Sequence, residues 1–178
     1  LASQFAGWQV KGEDFSAIAS GPARALALKP KDLYAKLNFK EESDSAVIVL
    51  ETEKRPPESI IQFIAEKCKI SPKNLFLVMF STTSLTGATQ VSGRVVETGL
   101  HKLERVGLDP LLVKHAFGYA PIVPLHPVAG DAMGRTNDAI LYGGVTNYTV
   151  NFEDEKELER IVQQAPSSSS KMIQEARA

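Results

Sequence analysis

The chain is expected to fold as a mixed α/β (α+β) protein, a layered sandwich of sheet and helix. Three observations predict this. Ala46–Leu50 and Leu75–Phe80 are continuous apolar runs of strand length, suited to buried strands. Between and after them, apolar residues recur at helical spacing. Strands and helices also mix without strict alternation, which disfavours a clean doubly wound sheet.

The elements follow in order. Two short strands occupy the first 20 residues, joined by a turn near Lys11-Gly12-Glu13-Asp14. Ser20-Gly21-Pro22 breaks the second, and Pro22 opens a short helix over Ala23–Leu28 that Pro30 closes. Lys31–Leu37 reads as another short helix, and Lys40–Asp44 as a charged loop. After the strand at Ala46–Leu50, Pro56-Pro57 stops the run. Ile60, Ile61, Ile64, Ala65 and Cys68 then predict an amphipathic helix over Glu58–Lys69, with Cys68 as a buried, inert thiol. The strand at Leu75–Phe80 precedes one long helix over Thr86–Val106, ended by Gly107. Val113–Val123 is expected to be mostly strand, interrupted by Gly118 and Pro121. A turn at Pro124–Pro127 and a helical turn in Val128–Thr136 come next. Ala139–Tyr142 and Thr146–Phe152 bracket Gly143-Gly144 as a hairpin. Glu153–Gln164 is a helix. Pro166 and Ser167–Ser170 form a low-complexity stop that begins a 165–178 tail, whose last eight residues add a helix or fray.

Length and composition narrow the function classes. The 178 residues fit one compact region, 1–178, or two small lobes sharing a core. Hydrophobic residues make up 43%, enough for a globular core, and the net charge is −1. That balance excludes a strongly basic nucleic-acid binder. No apolar run reaches the roughly 18–20 residues of a membrane span. The single cysteine can form neither an intrachain disulfide nor a zinc cage, so a reducing, cytoplasmic setting is expected. The sequence starts at Leu1 with no signal-peptide pattern after it, as expected of a processed, trimmed or partial product.

The chemistry concentrates on the expected long helix. Gln90, Arg94, Glu97 and His101 sit at i, i+4, i+7 and i+11, within an arc of roughly 60°. Ala88, Ser92, Val95, Val96, Gly99, Leu103 and Val106 form the opposite face, with Gly99 admitting close approach of another element. Two readings are open. One is a solvated face carrying an Arg94/Glu97 ion pair of about 0.2–0.5 kcal/mol. The other is a polar stripe facing a cleft, with Glu97 as base and Arg94 holding it ionised. Ser81–Gly87 leads from a strand into that helix, where open α/β sheets bind ligands. Thr83 and Ser84 there are either ligand contacts or helix caps.

Other segments are weaker. Ser20-Gly21-Pro22-Ala23-Arg24 is a structural turn or an anion site at a helix start. Tyr119, between Gly118 and Pro121, is core or a ligand platform. Thr136, Asn137 and Asp138 either shape a turn or read the hydrogen-bonding edge of a heterocycle. His101, His115 and His126 show no metal-ligand spacing, and no GxSxG, GxxxxGK[ST], HExxH or CxxC motif occurs.

Taken together, LASQFAGWQVK, SGPARALALKP, STTSLTGATQVSGRVVETGLHKL, GYAPIVP, AMGRTNDAILYGG and PSSSSK resemble methenyltetrahydromethanopterin cyclohydrolases over nearly the whole chain. AMGRTNDAILYGG, with His126-Pro127 ahead of it, looks more like the methylotrophic bacterial versions. Family members carry a substantial portion before the segment matching Leu1, and continue differently after PSSSSK. The expectation is therefore the middle of such an enzyme, part of a two-lobed subunit. The resemblance implies hydrolysis of the cyclic N5,N10-methenyl cation of a tetrahydropterin to the N5-formyl form, without metal or redox cofactor. It implies a homotrimer, a pterin substrate and roles in methanogenesis or in methylotrophic formaldehyde oxidation. Its RxxE pair falls on Arg94 and Glu97 as the catalytic residues. Ser20, Arg24, Thr83, Ser84, Gln90, Tyr119, Thr136, Asn137 and Asp138 are the expected substrate contacts. A non-catalytic pterin-binding or oligomerising fragment, and the same chemistry on tetrahydrofolate, are the alternatives.

Overall fold

The structure, a computed structural model, describes residues 7–12 and 14–170. The expectation for the last eight residues lies outside them, as does Glu13 of the first turn. Two compact units divide the chain, Leu1–Gly87 and Ala88–Ala178. Mixed α/β architecture is observed in each.

In the first unit, β1 (Trp8–Lys11) and β2 (Ser16–Ser20) form an antiparallel hairpin, closed by Gly12 N donating to Phe15 O at 2.8 Å. Short helices α1 (Ala23–Ala27) and α2 (Lys31–Leu37) follow. β3 (Ala46–Glu51) pairs antiparallel with β2 and parallel with β4 (Leu75–Phe80), and α3 (Glu58–Cys68) is the crossover. The strand order is β1-β2-β3-β4. Alternation decides which face is inside. Ala46, Ile48 and Leu50 of β3 point to the core with Val10, Ala17 and Ala19, and α3 lays Ile60, Ile64, Ala65 and Cys68 against them. Burying side chains such as Ile48, Leu50 and Ile64 contributes about 1.5–3 kcal/mol each. The other face stays open. Phe76 and Val78 of β4, expected to be buried, are exposed, because β4 is an edge strand with helices covering one face.

In the second unit, the helix expected over 86–106 is broken in two. Its first part, α4 (Leu85–Ser92), begins in the first unit, and the second is α5 (Val95–Arg105). Gly93 and Arg94 turn between them. Gly93 has poor helix propensity, and Arg94 takes φ −90°, ψ 10°, outside helical geometry. β5 (Val113–Tyr119) stops short of Val123 and pairs antiparallel with β6 (Val145–Val150). The residues between are not half a hairpin. Ala129–Gly143 is one helix, α6, which buries Ala132, Thr136 and Ala139 at i, i+4 and i+7. Small residues carry that stripe, so Ala139–Tyr142 looks like a strand in sequence although its backbone is helical. Helix α7 (Glu155–Gln164) starts at Asp154, whose side chain accepts from Lys156 N and Glu157 N. Pro166–Ser170 holds a 3-10 turn over Ser167–Ser169. Leu103, Leu108 and Ile161 centre this core. No described helix is long and apolar enough to cross a membrane.

Candidate functional site

The helix break defines the setting of the Arg/Glu pair. Arg94 is the residue before α5, and Glu97 lies in its first turn. That end of a helix favours negative charge. Glu97 is only 9% exposed, although its neighbours Gln90, Arg94 and His101 are half-buried. A solvated surface ion pair does not bury its carboxylate, so the solvated-face reading of this stripe fails at Glu97. The back of α5 behaves as expected. Val95 and Leu103 are buried, and Gly99 sits directly against the Tyr148 hydroxyl and Thr146 of β6. Tyr148 Oη donates to Val96 O at 2.6 Å, and burial raises the tyrosine pKa. Farther along α5, burial lowers the His101 pKa, helped by the charge on Arg105, whose Nε donates to His101 Nε2 at 3.5 Å.

In the same unit, Tyr119 is exposed at the end of β5, opposite Val145. Thr136, Asn137 and Asp138 are consecutive on α6 and do not share a face. Thr136 is buried and donates from Oγ1 to Met133 O at 2.9 Å, whereas Asn137 and Asp138 are exposed. Ser92 Oγ donates to Pro121 O at 2.8 Å, tying the segment after β5 to α4.

In the first unit, Thr83 and Ser84 lie just beyond β4, at the carboxyl ends of the parallel pair. Ser84 caps α4: its Oγ accepts from Gly87 N at 3.0 Å and donates to Ser81 O at 2.6 Å. Gly87 packs onto the Ser81 carbonyl, an approach that no side chain would permit. Thr83 Oγ1 donates to Glu53 Oε1 at 3.0 Å, and Ser81 Oγ donates to the same oxygen at 2.5 Å. Those two bonds, Ser81 first, hold the Glu53 carboxyl below its usual range. Thr82 donates to Glu51. Glu51 is the last residue of β3 and Glu53 lies two residues beyond it, and this place at the carboxyl end of a parallel strand is the signal in the sequence that points to them. Ser20 and Arg24 are both buried. Arg24 Nε donates to Lys29 O at 2.9 Å, and its guanidinium lies 5.9 Å from the Tyr34 ring centre. Among the described residues, no three His, Cys, Asp or Glu side chains are grouped to hold a metal ion.

Comparison with known proteins adds a family. The model of the family described as "Cyclohydrolase (MCH)" matches residues 1–175. The chain is 47% identical over 171 residues to the methenyltetrahydromethanopterin cyclohydrolase of Methanococcoides burtonii. Over 171 residues it is also 46% identical to the protein of the same name from Methanothermobacter marburgensis, and 44% to that from Methanosarcina barkeri. In each case the match covers 96% of this chain and 53% of the relative. The chain thus spans about half the length of the curated relatives it matches.

Proposed function

This chain belongs to the cyclohydrolase (MCH) family, and on that premise we propose that it hydrolyses the N5,N10-methenyl cation of tetrahydromethanopterin to the N5-formyl form. The reading places it in cytoplasmic one-carbon metabolism, with water as the co-substrate and no metal or redox cofactor. The observation that carries it is the burial of Glu97 in the first turn of α5, three residues after Arg94. A carboxylate taken out of water is costly unless something requires it there.

The chemistry suits these two side chains. The methenyl carbon is amidinium-like and already electrophilic, so it needs a positioned, partly deprotonated water rather than a Lewis acid. Glu97 accepts a proton as the water oxygen bonds to that carbon, giving a carbinolamine. The bond to N10 then breaks, the carbon becomes the N5-formyl group, and Glu97 returns a proton to N10. The water's second proton leaves to solvent, which balances the cation's charge. Arg94 orients Glu97 and stabilises oxygen as the carbinolamine collapses. Gln90, Thr83, Ser84, Tyr119, Asn137 and Asp138 are proposed as pterin contacts. Ser20, Arg24 and Thr136, each buried within its own unit, complete the proposed set of substrate contacts. A homotrimer is proposed as the working assembly, to be checked by light scattering.

The test is single-turnover hydrolysis in a polypeptide restored to the relatives' full length. Glu97→Gln is nearly isosteric but cannot take a proton from water at neutral pH. It is expected to lower the rate about 10²–10⁴-fold with pterin binding retained. Arg94→Gln should also be severe, and the double variant little worse than either, if the two act as a unit. Near-normal turnover in Glu97→Gln would overturn the assignment. Pterin binding without turnover in the unsubstituted protein would make it a binding module instead.

A further inference from the structure

The second unit carries a groove of about 720 Å³ that includes neither Arg94 nor Glu97. It touches Val145, Thr146, Asn147 and Tyr148 of β6 in succession but no residue of β5. Successive strand residues point to opposite faces. A groove lined by both sets therefore runs along the edge of β6 and does not lie on one face of the sheet. Among the described residues β6 pairs with β5 alone, so this is the strand's unpaired edge. Helix α5 forms one wall with Val95, Thr98 and Leu103, and α7 another with Leu158 and Val162. Among the described residues, Lys102 is the one charged residue lining it. An open backbone edge between apolar walls is the geometry that binds an extended peptide by strand addition.

We infer that this groove receives an extended segment as a third strand beside β6, and that the segment comes from polypeptide equivalent to the part of the relatives outside their matched 53%. Two observations favour that occupant. A two-stranded sheet is marginal alone and gains most from a third strand. The relatives also carry roughly as much polypeptide again as the span matched here. The six residues of β6 offer an edge of roughly 20 Å, enough for one strand of ordinary length. The inserted strand would direct alternate apolar side chains between α5 and α7, with a neutral or acidic residue near Lys102.

The experiment co-expresses this chain with the polypeptide comprising the residues of the Methanococcoides burtonii relative outside the matched span. Its readouts are co-purification and backbone hydrogen exchange, not turnover, so its outcome is separate from that of the cyclohydrolase reading. Expected is a one-to-one complex in which exchange over Val145–Val150 slows at least tenfold. Val162→Glu places a charge at the groove on a side chain already half in solvent, so the chain should still fold. It should weaken the complex at least tenfold, whereas Phe76→Ser, in the first unit, should leave it unchanged. Three results overturn the inference: no complex with a folded chain, a complex indifferent to Val162→Glu, or slowed exchange over Val145–Val150 when this chain associates only with itself.

Discussion

Gly99 and Cys68 show how single side chains fix what surrounds them. Gly99 leaves room for the Tyr148 hydroxyl, which is held by Val96 O. Gly99→Ala must push the tyrosine away and break that bond, at a cost of about 1–3 kcal/mol. Thermal unfolding of the variant should show a lowered midpoint, and Tyr148→Phe combined with it should recover part of the loss. Cys68 is buried and donates from Sγ to Ala23 O at 3.4 Å, joining α3 to the start of α1. Burial pushes its thiol up to about 11 from 9.0. The native state therefore holds the proton longer than the unfolded chain does. Between those two values the native state binds more protons, so stability falls as pH rises from about 9 to 11. Denaturant titrations across that window should show the fall in the native protein and a smaller one in Cys68→Ala. Thiol reagents at pH 8 should label Cys68 only on unfolding.

At the scale of elements, the turn at Gly93-Arg94 carries the most weight, because it sets the phase of α5 relative to α4. A Cβ at Gly93 would make only ordinary contacts with Thr89 O and Gln90 O, at 3.4 and 3.6 Å. Gly93→Ala is thus sterically tolerated and gains about 1 kcal/mol of helix propensity. Expected is an unchanged or slightly raised melting midpoint with reduced turnover, since a continuous helix would re-aim Glu97; equal turnover would show that the break has no functional weight. This turn was not legible in the sequence, where the 3.6-residue period runs unbroken from Ala88 to Leu103. The spacing of Arg94 and Glu97 was legible, because they are three residues apart on either account. Helix α6 was missed for a different reason. Its buried stripe is Ala132, Thr136 and Ala139, and Gly130 and Gly134 lower its propensity, so neither signal of a helix is strong. The strands β3 and β4 were legible because each is an uninterrupted apolar run. What that run concealed is that β4 has only one covered face.

For the molecule as a whole, the four-stranded sheet buries one face, the two-stranded sheet only half-buries one, and both leave apolar side chains exposed. Phe76 and Val78 project from β4, and Phe117 and Tyr119 from β5, with Phe76 59% exposed. Phe76→Lys removes such a side chain without touching the core. It should leave the unfolding free energy within about 0.5 kcal/mol of the original and reduce binding of a hydrophobic dye; a large loss of stability would show that the face is covered. The order β1-β2-β3-β4 has a further consequence, for synthesis. Each strand of this sheet lies beside the one made immediately before it, so none waits for a later part of the chain. Such short-range topology folds quickly. The four described strands can pair as soon as Phe80 has emerged from the ribosome, before the helix that carries Glu97 has itself come free of it.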